Sequence, residues 1–141
     1  MSVLKIKKFT ENAYIPCKAN ADDAGYDLSS IEKVTIAPNT GKLINTGIGI
    51  TVPPGTYGRI APRSGVSTKS ILVNAGVVDR TYTGVVKVLL FNLSNVDFEV
   101  DVGNRIAQLI LEKIETNVHV EIVEELETTS RGDGGFGSTG V

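Results

Sequence analysis

The sequence predicts an all-β fold, a sandwich or barrel. Three observations carry this. Apolar residues recur with a period of two rather than 3.6, the β-branched runs are short and evenly spaced, and glycine and proline punctuate the gaps. In chain order, Val3-Leu-Lys-Ile-Lys is a first short alternating run. Lys33-Val-Thr-Ile-Ala alternates again and stops at Pro38-Asn-Thr-Gly, a turn signal. Leu43 to Val52 reads as one strand running into Pro53-Pro-Gly, and Thr56 to Ala61 as another ending at Pro62. Ile71-Leu-Val precedes Asn74-Ala-Gly. Val85 to Leu93 is long and mostly apolar, which predicts a central strand covered on both faces. Val96 to Val102 alternates strictly, Arg105 to Leu111 follows, and the alternation at Val118, Val120 and Ile122 predicts a last strand within 118–123, with His119 on its face. One helix of a turn or two fits within Gly65 to Ser70.

At 141 residues and a net charge of −2, the chain suits one domain with its own core. Hydrophobic residues at 41% make wholesale disorder untenable. No apolar run nears the roughly 20 residues of a membrane helix, and the N-terminus lacks a secretory signal, so an intracellular protein, cytoplasmic or nuclear, is expected, with no membrane partner. Balanced charge argues against nucleic-acid binding. A single cysteine, Cys17, and a single histidine, His119, exclude an all-Cys/His zinc site and an intramolecular disulfide. Cys17, beside Pro16, reads as a small buried or half-buried hydrophobe. Composition changes after Leu126: residues 128–141 hold only two apolar side chains larger than alanine and cannot join a core. The expected organisation is therefore a β-barrel domain over 1–127 and a mobile Gly-rich arm over 128–141.

Five segments can carry chemistry. In Ala61-Pro-Arg-Ser-Gly-Val-Ser, Arg63 and Ser64 at a strand end suit an anion, or else form a capped turn with Ser64 as N-cap and Arg63 in solvent. In Asn74-Ala-Gly-Val-Val-Asp-Arg-Thr-Tyr-Thr-Gly, a long hairpin offers backbone groups, a carboxylate at Asp79 and an aromatic at Tyr82; a planar ligand with a water to activate would use all three, and a bulged hairpin would use none. Ala21-Asp-Asp-Ala-Gly-Tyr-Asp holds three aspartates, either near a hydrated cation or in a polar turn. Gln108 is a polar side chain in an apolar strand, paired in the core or aimed into a site. Arg131-Gly-Asp-Gly-Gly-Phe-Gly-Ser-Thr-Gly combines an arginine, hydroxyls and glycines that suit phosphate cradling with Phe136, a lone aromatic that has no core to join.

Taken together, Ala24-Gly-Tyr-Asp-Leu, Pro62-Arg-Ser-Gly, Ala75-Gly-Val-Val-Asp with Tyr82 and Gly84, Arg105-Ile-Ala-Gln-Leu and the Arg131 segment resemble the five ordered motifs of the trimeric deoxyuridine triphosphatase family. The resemblance spans 24–140 and implies a jelly-roll-like fold and a homotrimer whose three sites are shared between subunits. It implies hydrolysis of dUTP to dUMP and pyrophosphate with Mg²⁺, by water attack on the α-phosphorus. Asp79 would activate the water and touch the 3′-hydroxyl, and Tyr82 would pack under the deoxyribose. Backbone groups of Asn74, Gly76, Val77, Val78 and Asp79, with the return strand near Lys87, would read uracil. Arg63, Ser64 and Gly65 would hold phosphates; Gln108 and Asp27 would order the water and metal network, Asp27 reaching Mg²⁺ through water. Arg131, Ser138 and Thr139 would hold the γ-phosphate, with Gly137 beside them and Phe136 stacked on uracil. A dCTP deaminase shares this superfold, but the complete fifth motif favours the pyrophosphatase. The chain departs from the family pattern at Asn104, often Asp, at Lys87, where a small residue is common, and at Arg80, which puts a cation next to Asp79 in sequence.

Overall fold

A computed structural model describes residues 1–138 and 140. Among the described residues there are eleven strands and one short helix: β1 (Lys5–Lys8), β2 (Gly25–Ser29), β3 (Val34–Ile36), β4 (Gly41–Asn45), β5 (Ile48–Thr51), β6 (Thr56–Ala61), α1 (Ser64–Ser67), β7 (Ile71–Asn74), β8 (Val77–Val78), β9 (Lys87–Asn92), β10 (Phe98–Val100) and β11 (Arg105–Lys113). All pairings are antiparallel, in four sheets ordered β1-β5, β10-β3, β2-β11-β6-β8 and β4-β9-β7. This is the expected all-β, jelly-roll-like architecture. One face of every sheet meets in a common core, where Leu28 and Leu109, Ile44 and Leu90, Ile36 and Ile48 are essentially inaccessible. The period-two pattern is thus the imprint of sheets with one buried face.

The run expected as one strand over 43–52 is two strands in different sheets. The chain turns the corner at Thr46-Gly47. Thr46 Oγ1 donates to Val86 O at 2.6 Å, and Gly47 N donates to Asn45 Oδ1 at 2.7 Å. Gly47 has φ +70°, which favours glycine, and a Cβ there would lie a tight 3.0 Å from Ala13 Cβ. The buried Asn92 closes a second corner. Its amide donates to Ile36 O and Val96 O, and its Oδ1 accepts from both Ser94 N and Ser94 Oγ, so every polar valence of a fully buried side chain is filled.

β9 is central, flanked by β4 and β7, but only one of its faces is covered within the chain. Leu89 and Phe91 on the other face are half-buried, next to the exposed Leu43 and Leu72 of the flanking strands. The strand expected over 118–123 is absent. Val118, Val120 and Ile122 are exposed, Ile122 at 97%, and His119 lies on no strand face: the segment pairs with none of the strands and buries neither of its faces. Cys17 is exposed rather than buried; Pro16 takes the interior position beside it.

On the outer face of the four-stranded sheet, β6 is tied to β11 by side chains as well as backbone. Tyr57 Oη donates to Glu112 Oε2 at 2.7 Å and Arg59 Nε meets Glu112 Oε1 at 2.5 Å. The hydrogen bond from Tyr57, then that from Arg59, holds the Glu112 carboxyl below the usual carboxylate range. A carboxyl whose folded pKa is depressed stabilises the fold above its unfolded pKa and stops doing so as pH falls through the folded value. The stability difference between the wild type and Glu112→Gln, read by urea unfolding, should be present at pH 7 and fade below the usual carboxylate range. A difference independent of pH would show that the cluster acts by packing alone.

Candidate active site

The strand β11 organises the first cleft. It pairs with β2 on one side and β6 on the other, placing Gln108 opposite Asp27 and opposite Ala61. The chain leaving β6 passes Pro62 and enters α1 at Ser64, with Arg63 as its extended N-cap and no side-chain cap. Ser64 therefore lies inside the helix rather than capping it. Arg63 is not free in solvent either: its Nε lies 3.0 Å from Asp27 Oδ1, and its Nη1 donates to Arg105 O at 3.1 Å. Gln108 Nε2 donates to Pro62 O at 2.8 Å. Asp27, Arg63, Ser64, Gly65 and Gln108 thus line one cleft of about 560 Å³.

A glycine and a sheet irregularity place two residues of this cleft, Gln108 and Arg105. A Cβ on Gly25 would fall 2.2 Å from Gln108 Oε1, so only glycine leaves Gln108 its place. Two of the three aspartates in the second-strand segment have distinct contacts. Asp23 Oδ2 accepts from Asn20 N and Nδ2 in a turn, and Asp27 alone sits on a strand facing the arginines. Sequence reasoning missed Arg105. It lies three residues before Gln108, an odd spacing that should put it on the opposite face. A β-bulge between Arg105 and Ala107 turns Ile106 and Ala107 both into the core and returns Arg105 to the face of Gln108. Its Nη1 lies 3.5 Å from Asp27 Oδ2. The two consecutive apolar residues Ile106-Ala107 were the available signal for the bulge.

The second cleft, about 370 Å³, is lined by Gly76, Val77, Val78, Asp79, Tyr82 and Lys87, with Ile60 and Leu43 behind them. Strands β7 and β9 form the expected hairpin, but its long loop crosses over and adds β8 to the four-stranded sheet. Ala75 and Gly76 make that crossing with φ +60° and +85°, and Ile60 N donates to Gly76 O at 2.8 Å. A Cβ on Gly76 would meet Ile60 O at 2.9 Å. Tyr82 lies over Gly84, where a Cβ would be 2.6 Å from its hydroxyl, and that hydroxyl donates to Val85 O at 2.8 Å. The hydroxyl end of the ring is therefore held in place, and the ring forms a wall of the cleft. The Asp79 side chain is exposed and makes no hydrogen bond or ion pair among the described residues. Arg80 faces a different depression, with Met1, Lys5 and Pro54, and is not beside the Asp79 carboxylate in the cleft. Asn74 is exposed at the end of β7, outside the cleft lining.

The arm residues line neither cleft. Arg131 Nε donates to Gly134 O at 2.6 Å, and Gly135 N to Ser138 Oγ at 2.8 Å, so the segment turns on itself. Phe136 is fully exposed and Gly137 has φ +81°. Thr139 lies outside the described residues.

The fold and clefts define the class: an all-antiparallel, jelly-roll-like barrel with a guanidinium-lined cleft at the end of β6 and a hairpin cleft beside β9. A family model described as dUTPase matches residues 11–140, and the chain belongs to that family. It is 55% identical to the deoxyuridine 5'-triphosphate nucleotidohydrolase of Solanum lycopersicum over 97% of this chain and 81% of the relative. It is 52% identical to that of Saccharomyces cerevisiae, covering 98% of this chain and 95% of the relative. Among solved structures, the Staphylococcus bacteriophage 80alpha dUTPase with dUpNHpp superposes with a TM-score of 0.91 at 30% identity, over 99% of both chains. The D95N mutant dUTPase of phage phi11, with a structural Mg(II) ion, gives 0.83 at 26% identity, over 89% of this chain and 99% of the other.

The close approach at Gly25 is testable. Gly25→Ala should lower stability by about 1–3 kcal/mol through overpacking, and Gln108→Ala in the same chain should recover part of the loss in thermal melting. An unchanged midpoint in the single variant would show that Gly25 is not reserved for Gln108.

Proposed function

We propose that this chain is a dUTP pyrophosphatase, hydrolysing dUTP to dUMP and pyrophosphate by water attack on the α-phosphorus. It thereby limits uracil in DNA and supplies dUMP for dTMP synthesis, inside the cell. The observation that carries the reading is the pair of chemically different clefts, one lined by Arg63, Ser64, Gly65 and Gln108, the other by Asp79 and Tyr82, in a chain of the dUTPase family.

The first cleft takes the phosphates. Arg63 and the Ser64 hydroxyl supply donors to anionic oxygens, and Gly65 has open space around its Cα, which lets an oxyanion approach the backbone. The second cleft takes the nucleoside. Tyr82, pinned to Val85 O, presents a fixed face to the deoxyribose and leaves no room for a 2′-hydroxyl. Backbone groups from Gly76 to Asp79, with Lys87 across the cleft, read the uracil edge, and Asn74 joins them from the end of β7 beyond the cleft lining. Cytosine offers the opposite donor and acceptor pattern, and a buried mismatch there is costly. Asp79 accepts the proton of the attacking water, and Gln108 orders that water.

Among the described residues no three Asp, Glu, His or Cys side chains cluster to hold a bare cation. A Mg²⁺ ligated mainly by phosphate oxygens and water needs one carboxylate at the cleft wall, and Asp27 fits that limited role. When bound, the ion offsets triphosphate charge.

The two clefts share no lining residue, which supports an active site assembled from different subunits of a homotrimer. The apolar outer face of the β4-β9-β7 sheet, with Leu43, Leu72, Leu89 and Phe91, offers surface for such an assembly. The arm over 128–141, following the domain over 1–127, closes on bound substrate: Arg131, Ser138 and Thr139 hold the γ-phosphate, Gly137 allows the turn, and Phe136 stacks on uracil. Among the described residues no helix is long and apolar enough to cross a membrane.

Pyrophosphate release from dUTP should exceed that from UTP, dCTP and dTTP by at least about a hundredfold; equal turnover of UTP and dUTP would overturn the specificity. Asp79→Asn should bind dUpNHpp as the wild type does and lose about 10²–10⁴-fold in kcat, whereas retained kcat removes Asp79 from its role. Cutting the chain after Ser130 should leave the melting temperature unchanged and cripple turnover. Full activity of that shortened chain would reduce the arm to a linker.

A further inference from the structure

Arg63 and Arg105 share one counter-ion but are held very differently. Asp27 is mostly buried, its side chain 17% exposed, and each of its oxygens faces one guanidinium. Arg63 is anchored twice, by Nε to Asp27 at 3.0 Å and by Nη1 to the Arg105 carbonyl at 3.1 Å, and its side chain is 32% exposed. Arg105 has a single long contact, Nη1 to Asp27 at 3.5 Å, and its side chain is 58% exposed. It stands on the ridge between the phosphate cleft and a neighbouring depression of about 630 Å³ toward Lys69 and Asn104, so it has space on both sides. One carboxylate between two guanidiniums leaves one positive charge in excess. The weaker contact, made by the more exposed side chain, is the one that breaks at least cost.

We propose that Arg105 is a second phosphate-binding arginine, a movable one, for which Asp27 is the resting partner. This rests on the pyrophosphatase reading and deepens it. On arrival of a triphosphate, Arg105 exchanges the Asp27 carboxylate for phosphate oxygens, a charge-assisted bond of the same type with a more highly charged acceptor. Arg63, fixed by its second bond, keeps its position. The exchange also releases Asp27 Oδ2 to accept from water, so one motion unmasks both a cation for the substrate and a carboxylate for the hydrated metal. The backbone bulge at Arg105/Ala107 is what permits this, since regular alternation would point Arg105 into the core.

The test is calorimetric titration of the full-length chain with inorganic pyrophosphate and, separately, with deoxyuridine, which has no phosphate. Arg105→Gln should weaken pyrophosphate binding about tenfold and change deoxyuridine binding by less than about twofold, with Arg105→Lys in between. Asp27→Asn without Mg²⁺ should tighten pyrophosphate binding, and the gain should shrink when combined with Arg105→Gln, because the two side chains are coupled. Unchanged pyrophosphate affinity in Arg105→Gln overturns the proposal, as does a parallel loss for deoxyuridine, which would mark a structural role. If the wild type hydrolyses dUTP and Arg105→Gln binds pyrophosphate normally, only the role of Arg105 falls. If the wild type binds pyrophosphate through Arg105 but does not hydrolyse dUTP, the pyrophosphatase reading falls and the anion site stands.

Discussion

The hydrogen-bond ladder of β11 is the constraint on which the phosphate cleft depends. It is the longest strand, nine residues, and its two neighbours come from distant parts of the chain, β2 near the start and β6 in the middle. Antiparallel pairing fixes register residue by residue. Once Gln108 stands opposite Asp27 on one side and Ala61 on the other, the segment after Ala61 must leave the sheet beside both. Arg63 meets Asp27 because the ladder brings their strands to β11, and Gln108 reaches Pro62 O for the same reason. The core-facing residues of the same strand, Ile106, Ala107 and Leu109, are fully buried, so the pairing that aligns the polar face is also the pairing that packs the barrel.

The second cleft answers to a different constraint, the crossing of one hairpin between two sheets. β7 pairs with β9 while β8 pairs with β6, and the chain changes partner at Ala75-Gly76. Glycine at 76 satisfies both a positive φ and a close approach to Ile60 O. Glycine at 84 does the same service for the Tyr82 ring by lacking a side chain. Gly76 and Gly84 thus stand where backbone or aromatic atoms approach the main chain closely, and the scarcity of histidine and cysteine is no handicap to a chemistry of carboxylate and guanidinium.

The elements that escaped sequence reasoning share a cause. Leu43 to Val52 alternates without interruption, and nothing in its period reveals that Thr46-Gly47 turns it from one sheet into another; the corner is made by Val86 O and Ala13, both remote in sequence. Val118 to Val123 has the alternation of a strand and is none within this chain, because alternation alone does not make a strand without pairing and a buried face. Arg105 was hidden by a bulge, and Cys17 was misjudged because its neighbour Pro16 took the interior position.

By itself the sequence determined the all-β class, most strand locations, the change of character after Leu126, and the five segments that bear polar chemistry, Asp79, Arg63 and Gln108 among them. These are local properties, carried by period, turn residues and motif spacing, and they survive without knowing what packs on what. Only the tertiary structure decided that Asp27 faces two arginines rather than standing free, that the phosphate-type and hairpin clefts are separate surfaces of one chain, and that Arg80 lies away from Asp79. Those facts depend on which strands pair and in what register, and pairing is a choice among distant partners made by the whole core at once.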